Sequence, residues 1–212
     1  MLSAISLPTR SCDPLIQHQT LKPLRRKSHA MEIFAHALWA GAGVALAHRR
    51  WPLSRRTTTL TVALAVAPDV PHLLPILAWS AFGAGTASAV KGYAYATPGQ
   101  EPAIPPMVEV LSHNLHCFTH SAIVLGVITL LVWAWRRQLW IPLLGWWSHV
   151  LIDLFTHSAD YYPSPILWPI TRQGFDGIAW NTPWFMGLNY ALLLATYLWL
   201  WRRWCRSRAA AI

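Results

Sequence analysis

Long apolar runs separated by short basic clusters dominate this chain. Runs approaching the length of a bilayer crossing predict membrane-spanning helices. Five such segments stand out, at 33–47, 57–82, 119–135, 139–155 and 183–201. The pattern predicts an all-α fold, a multi-pass membrane helix bundle. The first segment is short for a hydrocarbon core that needs about 20 residues, so it is either re-entrant or little tilted. The second contains Pro68, Pro71 and Pro75. Proline lacks the amide donor and disfavours a straight helix, so this segment is expected to be kinked near its middle. A broken helix is tolerated at membrane depth where it lines a cavity. Residues 83–118, rich in Gly, Ala and Pro, are expected to form an extramembrane lid or to hold a short helix.

Composition narrows the class. The chain is 54% hydrophobic and only 12% charged, against about 25% charged in a soluble domain, which argues against a soluble globular enzyme. Cys12, Cys117 and Cys205 are scattered without a CxxC, so neither a disulfide framework nor a zinc finger is expected. The net charge of +9 comes in arginine clusters beside apolar segments. That arrangement implies membrane lipid as the partner, not nucleic acid. Nothing in the pattern specifies an oligomer.

The same arginines orient the bundle. Arg49, Arg50, Arg55, Arg56, Arg136, Arg137, Arg202, Arg203, Arg206 and Arg208 fall in alternate connections and the tail. The opposite connections hold only Lys91 and Arg172. The basic side is therefore expected to be cytoplasmic. Lys22, Arg25, Arg26 and Lys27 contradict this unless translation begins at Met31. Residues 1–30 are accordingly expected to be a misassigned extension or a disordered tail, and 31–212 a single membrane helical domain.

With that orientation, His36, His72, His113, His116, His120, His149 and His157 gather towards the outer face, together with Asp69 and Asp153. Phe-Thr-His-Ser occurs twice, at 118–121 and 155–158, each copy close behind a Ser-His pair. His116 and His120, His149 and Asp153, and Asp153 and His157 are i, i+4 pairs that share a helix face. Ionisable groups in apolar segments are costly and mark functional sites. Imidazole and carboxylate together suit zinc and similar divalent ions. Asp69 and His72 lie three residues apart in Pro68-Asp69-Val70-Pro71-His72, where the prolines can aim both at one point. More than four good ligands suggests two ions, or one ion with outer partners that include Thr119 and Thr156. His48 and His113 read as interfacial residues, and Asp160 and Asp176 as solvated. The tryptophans form an aromatic belt, and Gly41 and Gly43 permit close helix contact.

At these motifs the chain resembles the bacterial membrane-bound metal-dependent hydrolase family of the inner membrane. The family's early helix histidine matches His36, and its Pro-Asp-x-Asp-His motif matches Pro68–His72. Its Thr-His-Ser motif matches Thr119–Ser121. Its Ser-His-x-x-x-Asp-x-x-Thr motif matches Ser148, His149, Asp153 and Thr156, followed by Trp168-Pro169. The resemblance covers about residues 31–170. Two departures stand out: Pro71 replaces the motif's second aspartate, and His116-Cys117-Phe118 lacks the family's arginine. The family is distantly similar to zinc-dependent phospholipases and nucleases, which implies phosphoester hydrolysis.

The leading expectation is a hydrolase with one or two divalent ions, zinc above all, acting at the outer leaflet on an ester or phosphoester of a lipid-like substrate. Its ligands would be His36, Asp69, His72, His116, His120, His149 and Asp153, with His157 as general acid or base. Ion or metal transport competes, because intramembrane His and Asp also mark ion paths. However, 123–135 offers only Thr129 to continue such a path, and 139–147 offers nothing. A non-catalytic membrane subunit with a structural metal is the third reading.

Overall fold

The expected break in the second apolar segment organises the fold. The computed structural model describes residues 32–83, 85–94, 102–159, 163–180 and 182–209. Residues 1–30, Met31 and Asp160, and the expectations attached to them, lie outside the described residues. Helix α1 (Glu32–His48) is followed by α2 (Arg55–Val66). Ser54 caps α2, its hydroxyl accepting the Thr57 amide at 3.0 Å. His48 closes the intervening turn, Nδ1 accepting the Leu53 amide at 2.9 Å, which is the structural role its position suggested. After α2 come two 3-10 turns, Ala67–Asp69 and Pro71–Leu73, before the chain resumes as α3 (Leu74–Phe82). Each turn carries a proline at its start, where a missing amide costs nothing. Tighter bonds take over there, from Val70 N to Ala67 O at 3.2 Å and from Leu73 N to Val70 O at 3.1 Å.

The stretch 83–118 holds α4 (Ala87–Ala94) and nearly all of a longer helix, α5 (Pro106–Thr119). Polar residues such as Glu109, Ser112 and Asn114 break up the apolar signal of α5. It meets α6 (Ala122–Arg136) at a 58° bend, with Ser121 capping α6 through the Val124 amide at 3.1 Å. Helix α7 (Leu143–Thr156) and the long α8 (Pro183–Ala209) complete the order. The described residues are helical with no strand.

Among the described residues, one stretch, Arg55–Phe82, is long and apolar enough to cross a membrane. The bent pair Pro106–Thr119 with Ala122–Arg136 adds a second if it forms one span. Ile33–His48 is apolar but shorter. Helix α7, with 14 residues, is roughly 21 Å long at 1.5 Å per residue.

Two helix pairs hold the site's frame. A Cβ on Gly145 would lie 1.9 Å from the Thr61 carbonyl oxygen, so α2 and α7 approach at a distance only glycine allows. Beside this crossing, Leu125, Leu143 and Val150 form a buried cluster. At the other flank, the Trp39 indole donates to Asn189 Oδ1 at 2.8 Å, and Tyr197 donates to the Leu38 carbonyl at 2.8 Å, tying α1 to α8. Polarity is distributed inside out. His36, His120, His149 and Asp153 are at most 1% exposed, whereas Leu130, Leu131 and Trp135 are 64%, 65% and 82% exposed.

Candidate metal centre

Helix α7 supplies His149, Asp153 and, at its C-terminal boundary, His157, spaced by four residues along one face. The break after α2 supplies Asp69, and the α5–α6 bend supplies His120. Ligand atoms of Asp69, His120, His149 and Asp153 all lie within 4.8 Å of one another, so the group can hold a metal ion. His120 Nε2 and His149 Nε2 stand 3.1 Å apart. They lie 3.2 and 3.1 Å from Asp153 Oδ2, and each is 3.4 Å from Asp69 Oδ1. Two ligands bound tetrahedrally to zinc would be separated by about 3.3 Å. The five distances are close to that separation.

The backbone fixes which nitrogens face inward. His149 Nδ1 is 2.8 Å from the Ala65 carbonyl oxygen, and His120 Nδ1 is 2.9 Å from that of His116. A carbonyl only accepts, so both Nδ1 atoms carry the proton. With an ion bound, both rings would be neutral and would turn their Nε2 lone pairs towards the same point. Protons on the two Nε2 atoms could serve the carboxylates pair by pair, whereas one cation would serve all four atoms together. Orientation of a ligand imidazole by a carbonyl on its far nitrogen is the usual support for a bound metal.

Further bonds set the position of the backbone. Thr119 Oγ1 lies 2.9 Å from the Pro68 carbonyl, to which it can donate, and 3.1 Å from His120 Nδ1, linking the Asp69 turn to the His120 bend. Trp146 donates its indole N–H to the Thr119 carbonyl at 2.7 Å, and Ser112 donates to the His72 carbonyl. Below α7, the amides of Gly177, Ile178 and Trp180 bond the carbonyls of His157, Phe155 and Thr156 at 2.8, 2.9 and 2.7 Å. Thr119→Val keeps the shape of the side chain and removes these hydroxyl contacts. It should weaken metal affinity by about tenfold, as loss of an outer-layer contact does. Competitive chelator titration would measure this; unchanged affinity would mean Asp69 is placed without Thr119.

The other expected site residues surround this core. His36 is buried, with Nε2 3.0 Å from Asp153 Oδ1, and its ring lies 4.0 Å from that of His149. His157 Nε2 is 3.9 Å from the same Asp153 oxygen. His116 stacks on His120 with ring centroids 4.0 Å apart, and His72 meets His116 edge-on at 5.8 Å. His72 and His116 therefore adjoin the four-residue group without joining it. Asp176 is exposed and accepts the Ala159 amide at 2.8 Å. Several buried polar atoms carry no hydrogen bond: both nitrogens of His36, Asp69 Oδ2, Asp153 Oδ1, His72 Nδ1, His116 Nε2 and Thr156 Oγ1. Such a concentration of unsatisfied groups, costly when buried, fits a cluster built around ions.

Residue types alone did not point to the carbonyls of Ala65 and His116, because any residue supplies one. Gly145 did carry a signal, since a glycine inside an apolar helical run marks close approach. No family model, curated protein or solved structure matches the chain.

Proposed function

We propose that this chain is a membrane-embedded, metal-dependent hydrolase that cleaves an ester or phosphoester of an amphipathic substrate. The convergence of Asp69, His120, His149 and Asp153 on one point carries the reading. Two imidazole nitrogens and two carboxylates gathered in one group suit zinc. A divalent ion there would polarise the scissile carbonyl or phosphoryl oxygen and lower the pKa of water. The residues themselves do the positioning. His120 and His149 are held by backbone carbonyls, and Asp153 is enclosed. Asp69 alone reaches the outside, its side chain 18% exposed against 0–2% for the other three. Substrate would therefore approach along the Asp69 side. His157, close to Asp153, is the expected proton carrier.

Membrane residence is part of the proposal. The apolar exterior of α6 around a polar interior is the distribution that lipid favours. It supports a multi-pass bundle of about five segments in a bacterial inner membrane, basic loops cytoplasmic and site towards the outer leaflet. The motif resemblance to the inner-membrane metal-dependent hydrolases points the same way.

The test is detergent-purified protein assayed on a chromogenic phosphodiester and a chromogenic carboxyl ester, before and after chelation. Hydrolysis of one substrate should disappear with the metal and return on adding zinc(II). Metal-free protein at full activity would refute the proposal.

A further inference from the structure

Trp199 is flanked by two arginines that come from distant parts of the chain. The guanidinium carbon of Arg203 lies 4.6 Å from the indole centroid, and that of Arg49 lies 6.0 Å from it. Trp199 and Arg203 are i, i+4 neighbours on α8, so helical spacing sets the first contact. The second depends on packing. Tyr197 donates to the Leu38 carbonyl at 2.8 Å, and a Cβ on Gly41 would stand 2.8 Å from the Tyr197 hydroxyl. Helices α1 and α8 therefore close tightly just before Arg49 and Trp199. The turn after α1 is fixed as well, the Arg49 amide bonding the Leu46 carbonyl at 3.3 Å and the Trp51 amide that of Ala47 at 2.9 Å.

Two like charges gathered on one ring call for an anion. No Asp or Glu occurs at 33–68 or 177–212, the stretches that carry Arg49 and Arg203. Among the described residues, no carboxylate pairs with either arginine. Both arginines are exposed. A guanidinium stacked on an aromatic face keeps its N–H edge for donation, and that edge matches phosphate oxygens in two places. The adjoining surface of α8 is apolar. Leu194, Leu198 and Trp201, at i, i+4 and i+7, form one stripe and are 62%, 44% and 59% exposed. A basic rim beside an apolar stripe suits an amphiphile better than a free polyanion. We propose that Arg49, Trp199 and Arg203 bind the phosphate of an anionic phospholipid whose acyl chains run along Leu194, Leu198 and Trp201. His36 precedes Arg49 by thirteen residues, roughly 20 Å at 1.5 Å per helical residue. This lipid is thus held apart from the metal centre and is not its substrate. It clamps α1 to α8 where Tyr197 already joins them.

Delipidated full-length protein in detergent is titrated with phosphatidylglycerol, or with phosphatidylcholine of the same acyl chains, and read by native mass spectrometry. Phosphatidylglycerol should bind at least about tenfold more tightly, because the choline cation of the other lipid faces two arginines. Arg49→Gln combined with Arg203→Gln should abolish that preference. Arg136→Gln combined with Arg137→Gln removes the same charge elsewhere and should retain it. Equal binding of the two lipids by the wild type, or equal loss in both double variants, would overturn the site. Millimolar inorganic phosphate should leave the lipid in place; displacement would make free phosphate the ligand and overturn the lipid assignment. Trp199→Leu keeps both charges, removes the stacking ring and should reduce the preference even if the first double variant fails to fold; an unchanged preference would overturn the site. None of these readouts involves hydrolysis, so the site stands or falls apart from the enzyme reading.

Discussion

Asp153→Ala is expected to strip the chain of metal and to reduce hydrolysis to background. Asp153 is buried, and four imidazoles lie within 3.9 Å of its two oxygens. Deleting it leaves those imidazoles without their shared negative charge, so a divalent ion loses both a ligand and its electrostatic balance. The fall in activity should exceed the roughly 100-fold that loss of an outer contact produces. Asp153→Asn, which keeps the size and removes the charge, should lose the metal as well while the helical circular dichroism persists. Full metal content and activity in Asp153→Ala would rule out the centre.

Gly145→Ala should be the most damaging change of a single methyl group. The added carbon would stand 1.9 Å from the Thr61 carbonyl oxygen and 3.1 Å from the Ala65 amide nitrogen. Both obstacles are backbone, so α2 and α7 would have to separate by more than about 1 Å to restore ordinary contact. Ala65 carries the carbonyl that orients His149, so separation would also detune a ligand. The cost is expected at or above the upper end of roughly 1–3 kcal/mol, read as a lowered Tm in detergent together with lost metal. Gly126→Ala is the control. Its Cβ would meet nothing within 4 Å, and a helical alanine is favoured over glycine by up to about 1 kcal/mol. Equal Tm values for the two variants would contradict the packing described here.

Much of this arrangement could be anticipated from residue identity. The i, i+4 spacing of His149, Asp153 and His157 announced a shared face, and Pro68 with Pro71 announced the break that carries Asp69. The apolar runs announced helices. Less legible was α5, whose polar residues, among them Ser112 bonded to the His72 carbonyl, give it the hydropathy of a loop. The ends of α7 were also hidden: residues 139–142 are apolar enough to extend the segment, yet they form a turn that closes on Leu143. His72 and His116 matched ligand spacing along their own helices. Which histidines meet at one point depends on how helices cross, and no spacing within one helix encodes that. His120 and His149 are 29 residues apart, and their facing nitrogens are a product of the α5–α6 bend and the Gly145 crossing.

The proline-flanked turn that bears Asp69 has a consequence for ionic radius. Pyrrolidine rings at Pro68 and Pro71 fix the backbone torsion on either side of that aspartate, while carbonyl bonds lock the two imidazoles opposite. A frame so constrained would resist expansion to the six to eight oxygens at about 2.3–2.6 Å that calcium requires. If the group holds an ion, the stiffness of a three-residue turn would disfavour large, hard cations.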